Sequence, residues 1–338
     1  MSRSSDLRAR FIEHCVVQGI FSDRKSVLAA VSGGADSIVL LHLLTGCAQA
    51  LGIRVAAAHV NHMIRPGAAA DAEFVRQAAT AAGVTFMLAQ VDVPAMAAAN
   101  GDSLEAAGRA ARYAELRRMA GQCGADAIAT GHTMTDQAET VLMRMIRGTG
   151  PLGLSGIAAT TDEGLVRPML CLTAAEVRDF AADEGLSFVR DDSNDDQYFL
   201  RNRIRAGILP ILREINPRIE SRLSELSDDS AALAEMVADL VGPWVNAVAD
   251  DRCLVPRKTP AALVPYAIRQ AFRAVTGEPL GLSRTHIEAL CRALRQDVAV
   301  AEFHLPRRVV VHLRPEGLMF TRDMEGPPPG SARKDMTA

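Results

Sequence analysis

The stretch that most restricts how this 338-residue chain can fold is Ser26 to Leu44, SVLAAVSGGADSIVLLHLL. Small and apolar residues run into Ser32-Gly33-Gly34-Ala35-Asp36-Ser37, and a strongly apolar helical pattern follows. The reading is strand, tight loop, helix, the opening unit of a doubly wound sheet. Two consecutive glycines let the backbone take left-handed angles and bring N–H groups close to an anion, while the new helix adds the positive end of its dipole. It is not a Walker A loop, since Ala35 and Asp36 follow the glycines where such a loop places Lys. A carboxylate beside a phosphate cradle makes chemical sense with a divalent cation between them. The loop therefore points to a nucleotide held with Mg²⁺, in chemistry other than kinase-type transfer. The plainer alternative is a Gly-rich turn at a strand-to-helix junction.

With 49% hydrophobic residues the chain can bury an α/β core and a smaller domain. No apolar run reaches the roughly 18 residues of a membrane span, and MSRSSDLRARFIEH lacks the apolar core of a signal peptide. A soluble protein of the cytoplasm, without membrane association, is expected. The six cysteines, at 15, 47, 123, 171, 253 and 291, form no CxxC pair, so no zinc knuckle, iron–sulfur set or disulfide framework is indicated. The formal charge of −3 leaves a nucleic-acid partner to be decided by local basic surface.

A first helix is expected over residues 7–19. After the opening unit, residues 53–59 read as a second strand, with Asn61, His62 and Arg65 beyond its end. In an open parallel sheet that end is where ligands sit, which makes His59, Asn61, His62 and Arg65 candidates for the base, ribose or substrate side. Asn61 and His62 could equally cap the turn into a helix over 68–82. A third strand is expected over 84–91. The next helix carries Glu105, Arg109 and Arg112 on roughly one face, either a phosphate clamp or a solvated surface. A fourth strand over 125–130 runs into Gly131, which permits a sharp exit, and a helix begins near Thr135. Asp136 and Glu139 share one side of its first turn; with His132 they suit a cation or a substrate ammonium, or they merely offset the helix dipole. Arg144 and Arg147 end that helix before a glycine-rich segment, 148–156, that is either a closing loop or a connector.

Residues 166–170 read as a short edge strand, and a helix follows over 173–183. Acidic residues 191–196 stand next to Arg201, Arg203 and Arg205, either a local ion-pair network or two functional surfaces. Five Arg against one Glu between Arg201 and Arg218 make this the best nucleic-acid backbone candidate on charge. A boundary is expected near Asn216-Pro217. Beyond it lie a long helix over 218–245, two more over 260–275 and 283–295, and a hairpin from 309–313 and 317–321. The last residues, Pro- and Gly-rich, are expected to be disordered.

The loop Ser32–Ser37 resembles the pyrophosphate loop of the N-type ATP pyrophosphatases. Further segments resemble one of their families, the tRNA(Ile)-lysidine synthetases: NHMIR at 61–65, LEAAGRAARY at 104–113, GHTMTDQAET at 131–140, RMIRGTGPLGLSGI at 144–157, RPML at 167–170, and DDSNDD with RNRIR within 191–205. Asn61 stands where that family commonly has Asp. Thr133, Met134 and Thr135 fall within its common Gly-His-His-x-Asp-Asp, so Thr133 and Thr135 are not counted as chemical participants.

The resemblance implies an adenine nucleotide alpha hydrolase-like fold. It also implies a catalytic domain over 1–215, a mainly helical tRNA-positioning domain with a small hairpin over 216–324, and a tail over 325–338. The implied reaction is ATP-dependent addition of free L-lysine to the wobble cytidine of the CAU-anticodon isoleucine tRNA, with Mg²⁺. Nucleotide contacts are then expected at Ala30, Ser32, Gly33, Gly34, Asp36, Ser37, His59 and Gly131, with Asp36 as metal ligand. Asp36, His132, Asp136 and Glu139 are the implied catalytic residues, with Asp136 and Glu139 on lysine. Arg65, Arg109, Arg112, Arg147, Arg201, Arg203 and Arg205 are expected on tRNA or phosphate. No obligate protein partner is indicated, and a homodimer is left open.

Three rivals stand beside this reading. A tRNA thiolase on the same scaffold would need a sulfur-carrying Cys or cluster ligands. An amidotransferase synthetase would need a glutaminase domain or an N-terminal Cys. A nucleotide-dependent RNA-binding protein with a degraded site would show no modification activity.

Overall fold

Helix α1 (Arg3–Val17) leads into strand β1 (Ser26–Ala30), whose side chains alternate between two layers: Val27 and Ala29 enter one core cluster and Leu28 another. A strand buried on both faces belongs at the middle of a doubly wound sheet. The computed structural model describes residues 3–63, 67–101, 103–189, 200–249, 251–277, 281–296 and 301–322. The expected features at Arg65, at 191–196 and at 325–338 lie outside the described residues.

The chain continues through α2 (Ala35–Gly46), a single turn α3 (Ala48–Leu51), β2 (Arg54–Asn61), α4 (Ala68–Ala81), β3 (Thr85–Gln90), α5 (Val93–Asn100) and α6 (Leu104–Cys123). Then come β4 (Ala127–Ala129), α7 (Met134–Arg147), β5 (Leu165–Val166) and α8 (Ala174–Asp183). The five strands lie in the order β3-β2-β1-β4-β5, all pairings parallel. On one face Phe11, Leu40, Leu43, Leu44, Val75 and Phe180 close the core; on the other Tyr113, Leu116 and Met119 of α6 do so. The doubly wound α/β fold read from the sequence is thus the fold of this part of the chain. β5 is shorter than expected and sits at the sheet edge, ending before Pro168, which has no N–H to extend a ladder.

The order matters for ligands. β2 and β3 lie to one side of β1 while β4 and β5 lie to the other, so the connections after β1 and β4 diverge at their C-terminal ends. That divergence is the switch point at which such sheets bind ligands.

After α8 the described chain resumes with α9 (Leu200–Arg203), a π-helical turn (Ile204–Ile208), α10 (Leu209–Ile215) and α11 (Ile219–Val241). Contacts divide the chain into two units, 1–231 and 232–338. The position expected for a boundary, Asn216-Pro217, falls at the start of α11, and α11 ends at Val241 because Gly242 and Pro243 follow. The second unit holds β6 (Asn246–Ala249), β7 (Arg252–Pro256), α12 (Val264–Thr276), α13 (Arg284–Arg295), β8 (Ala301–Leu305), β9 (Val309–Arg314) and β10 (Gly317–Arg322). The expected hairpin is present as β9 and β10. It extends into a five-stranded antiparallel sheet, order β6-β7-β10-β9-β8, on which Ile268, Phe272 and Leu290 pack. Among the described residues no helix is long and apolar enough to cross a membrane.

Candidate active site at the strand ends

The loop after β1 is built around one hydroxyl. Ser37 Oγ accepts the N–H groups of Ser32 and Gly33, each at 3.1 Å, and donates to the Gly34 carbonyl at 2.9 Å. Gly33 holds φ +97°, which only glycine adopts without strain, and its carbonyl accepts from Val189 N–H at 2.9 Å. The Gly33 N–H is turned onto Ser37, so the donors left for an anion are those of Gly34, Ala35 and Asp36, the unpaired first turn of α2.

Gly131, expected to serve a sharp exit from β4, serves a close approach instead. A Cβ there would lie 3.1 Å from the backbone C and O of Asp36, so the segment after β4 rests directly on the first turn of α2. His59, expected on the ligand side, is buried and its Nδ1–H donates to the Val31 carbonyl at 2.8 Å, tying β2 to the root of the loop. Burial holds that ring's pKa below the ordinary histidine value. Asn61 caps the turn after β2, its Nδ2 donating to the Ala68 carbonyl and its Oδ1 accepting from Met63 N–H. His62 keeps a buried Nδ1 without a partner.

On the β4 side the first turn of α7 carries a capping box: Thr133 Oγ1 accepts from Asp136 N–H, and Asp136 Oδ2 accepts from Thr133 N–H at 2.8 Å. Thr135 is buried, donating to Glu220 Oε1 at 2.5 Å and accepting from Ala174 N–H at 2.9 Å. Both threonines therefore hold the helix in place. Glu139, fully buried, accepts from Arg201 Nε at 2.7 Å and from Arg205 Nε at 2.6 Å. Asp136 Oδ1 lies farther from the same guanidinium groups, at 3.6 and 3.4 Å. Charge makes Arg201 and Arg205 nucleic-acid backbone candidates, with a local ion-pair network as the alternative. The fold turns them onto carboxylates, because the turns from α9 into the π-helical segment lie across α7; Arg203, between them, is exposed.

Asp36 binds these halves electrostatically. Burial, and then the nearby Asp136, push its carboxyl up to about 6, while Arg205 and Arg178 pull the other way. His132, with Nδ1 2.9 Å from Thr130 Oγ1, is held down to about 4 by burial; Asp136 opposes this, and Arg167, Arg201 and Arg112 reinforce it. It is neutral at physiological pH.

A cationic wall stands beside it. Arg109 and Arg112 stack on Tyr113, their guanidinium carbons 5.1 and 5.4 Å from the ring centre. Arg167 is buried near the same Tyr113 and donates to the Ala158 carbonyl at 2.6 Å, leaving its Nε without a partner. Sequence reasoning passed over Arg167 as a site residue, although an Arg closing a strand at the C-terminal edge of a parallel sheet was the available signal. Arg147 is not brought in: it ends α7, about 20 Å along the axis from Met134. Arg144 pins the glycine-rich segment through the Gly153 carbonyl at 2.9 Å, and Gln137 fastens its far end through Ile157. The Cys171 thiol is pushed up to about 12 by burial, which disfavours its thiolate.

Known proteins resemble this chain over most of its length. The PP-loop domain family matches residues 6–212. A tRNA(Ile)-lysidine synthase of Geobacter sulfurreducens is 36% identical over 329 residues, 94% of this chain and 69% of that protein. Its counterpart in Gloeobacter violaceus is 34% identical over 308 residues, 89% of this chain and 92% of that one. The Thermotoga maritima tRNA(Ile)-lysidine synthase is 36% identical over 227 residues, and there the match spans 55% of the relative's length. Among solved structures, the U34-tRNA thiolase NcsA from Methanococcus maripaludis with its [4Fe-4S] cluster superposes with TM-score 0.57 at 17% identity, covering 69% of this chain and 80% of that one, a likeness of fold.

Proposed function

We propose, since this chain belongs to the PP-loop domain family and within it to the tRNA(Ile)-lysidine synthase family, that it joins free L-lysine to C2 of the wobble cytidine in the CAU-anticodon isoleucine tRNA, at the expense of ATP. The cytidine O2 attacks the α-phosphate and pyrophosphate leaves. The ε-amine of lysine then forms the new C–N bond at C2, the C–O bond to AMP breaks, and the amine's proton passes to a carboxylate or water. Lysidine, AMP and pyrophosphate are the products.

Each requirement has a counterpart in the crevice. The N–H groups of Gly34, Ala35 and Asp36, with the dipole of α2, are a seat for departing pyrophosphate. Asp36 fits Mg²⁺: its carboxylate is charged against burial and a neighbouring Asp136, a cost that a divalent cation would relieve. Among the described residues no group of three ligating side chains exists, so phosphate oxygens and water would complete the shell, as Mg²⁺ commonly arranges. Bound there, the ion would offset charge developing on the phosphate oxygens. Arg109, Arg112 and Arg167 offer forks to phosphate or tRNA backbone. Neutral His132 can hydrogen-bond the base or the α-phosphate without adding a charge.

Asp136 and Glu139 are proposed to hold lysine. Both oxygens of Glu139 are taken by arginines, so an arriving ammonium meets Asp136 Oδ1, the oxygen with the longer contacts. Arg203, and Arg65 outside the described residues, are proposed contacts to tRNA, with the cytoplasm as the compartment. One observation supports the reading above the others: a Cβ at Gly131 would lie 3.1 Å from the Asp36 backbone, so the segment leading to Asp136 and Glu139 rests on the first turn of α2, and the phosphate seat and acidic pair are proposed as one site.

The test is mass analysis of nucleosides from a CAU isoleucine tRNA transcript incubated with the protein, Mg²⁺, ATP and labelled lysine. A lysine-sized addition at the wobble cytidine, lost in Asp36→Asn, is expected. Pyrophosphate release without lysine addition would overturn the choice of nucleophile.

A further inference from the structure

A second concavity lies behind the first turn of α7, wholly within residues 1–231. Its volume is about 230 Å³, and it is walled by α1, α7, α11 and the segments around Ile157 and Leu170. Its floor is apolar, from Met134, Ile157 and Leu170. Its polar groups come from two sides. Ser224, Glu225 and Asp228 form one stripe of α11 at three- and four-residue spacing, and His14 faces from α1. The lining includes no lysine or arginine.

Two of these groups lack a protein partner among the described residues: a buried nitrogen of His14, and the carboxylate of Asp228 on the exposed side of α11. His14 Nε2 is buried without a hydrogen-bond partner. Asp228 has no hydrogen bond or ion pair among the described residues, and its charged neighbours Asp229 and Glu225 repel it. Glu225, by contrast, is already served by Arg222 at 2.6 Å and Ser221 at 3.0 Å. An apolar floor, a free carboxylate and an unpaired imidazole nitrogen call for an alkyl stem ending in N–H donors.

We propose that this cavity binds a small aliphatic di- or polyamine, its alkyl chain on Met134 and Leu170 and an ammonium group on Asp228, with His14 Nε2 accepting a further N–H. An α-amino acid shares the alkylammonium end but brings a carboxylate, for which the lining supplies no cation. The diamine is therefore the better match. Gln137 also lines the cavity and bonds both Ile157 and Ser227, so an occupant would brace α11 against the turn that carries Asp136 and Glu139.

The inference stands apart from the proposed lysine-ligating activity. It is tested by calorimetric titration of the full chain with 1,5-diaminopentane, spermidine and, separately, L-lysine. Saturable binding of one amine per chain is expected, weakened roughly tenfold by Asp228→Asn and by Ser224→Leu, with Glu139→Gln leaving it unchanged. L-lysine binding, where present, is expected to show the opposite pattern. The proposal is overturned by amine binding that survives Asp228→Asn and Ser224→Leu, by binding that is lost in Glu139→Gln, or by no saturable binding at millimolar amine. Circular dichroism confirms that each variant is folded before its titration is read.

Discussion

Replacing Asp36 by Asn is expected to make the ligand-free protein more stable near neutral pH while abolishing its ATP-dependent activity. Asp36 has an ordinary value of 3.8 that burial, and then Asp136, raise to about 6. Between those values the folded chain keeps a proton that the unfolded chain has shed. Stability therefore falls as pH rises through the window, and the full loss is present above the folded value. About two units correspond to about 3 kcal/mol. Partial contact with solvent, and the charge–dipole gain that Asn gives up at the start of α2, bring the net effect to about 1–2 kcal/mol. For a unit of this size that is roughly 2–8 °C in Tm. His132 works in the opposite sense: its pKa is held down to about 4, so its contribution grows as pH rises from there towards the ordinary value of 6.5. The difference between wild type and Asp36→Asn, not either curve by itself, isolates Asp36. Calorimetric unfolding at intervals from about pH 5 to 8, with and without Mg²⁺ and ATP, measures it. The gap should widen with pH in the free proteins and close when ligand stabilises the wild type. A variant no more stable than wild type at about pH 7.5, or a gap independent of pH, would refute the electrostatic reasoning.

Removing both cations from Glu139 should hurt more than removing its charge. In Arg201→Met with Arg205→Met a fully buried carboxylate is left unpaired, costing about 3–5 kcal/mol, whereas Glu139→Gln leaves two half-exposed guanidinium groups that water can serve, about 1–2 kcal/mol. Urea unfolding ranks the variants, and the reverse order would contradict the inward orientation of these arginines. Gly131→Ala should cost about 1–3 kcal/mol and weaken nucleotide binding, because the new methyl meets backbone atoms of Asp36 that cannot swing aside. An unchanged Tm together with unchanged ATP affinity would show that β4 and α2 do not depend on this approach.

Much of the first unit was legible in the sequence because its signals are local. Two glycines after an apolar strand and a helix start near Thr135 each follow from nearest neighbours along the chain. The capping role of Asn61 was one of two readings, and only the position of Ala68 and Met63 around it decided between them. The antiparallel sheet of the second unit was seen only as a hairpin, since β6 is a short, exposed strand and β7 pairs with β10 across the two intervening helices, a pairing with no local signal.

The sequence by itself determined that a phosphate-sized loop opens a doubly wound sheet and that His132, Asp136 and Glu139 follow a later strand, because periodicity and turn chemistry are written in consecutive residues. Tertiary structure decided what those residues face. It turned Gly33 N–H onto Ser37, set Gly131 against Asp36, buried Glu139 between Arg201 and Arg205, and buried Arg167 with its Nε unpaired. The reason is physical: charge and hydrogen-bonding capacity belong to a residue, but desolvation and pairing belong to its neighbours in space, and strand order brings those neighbours together.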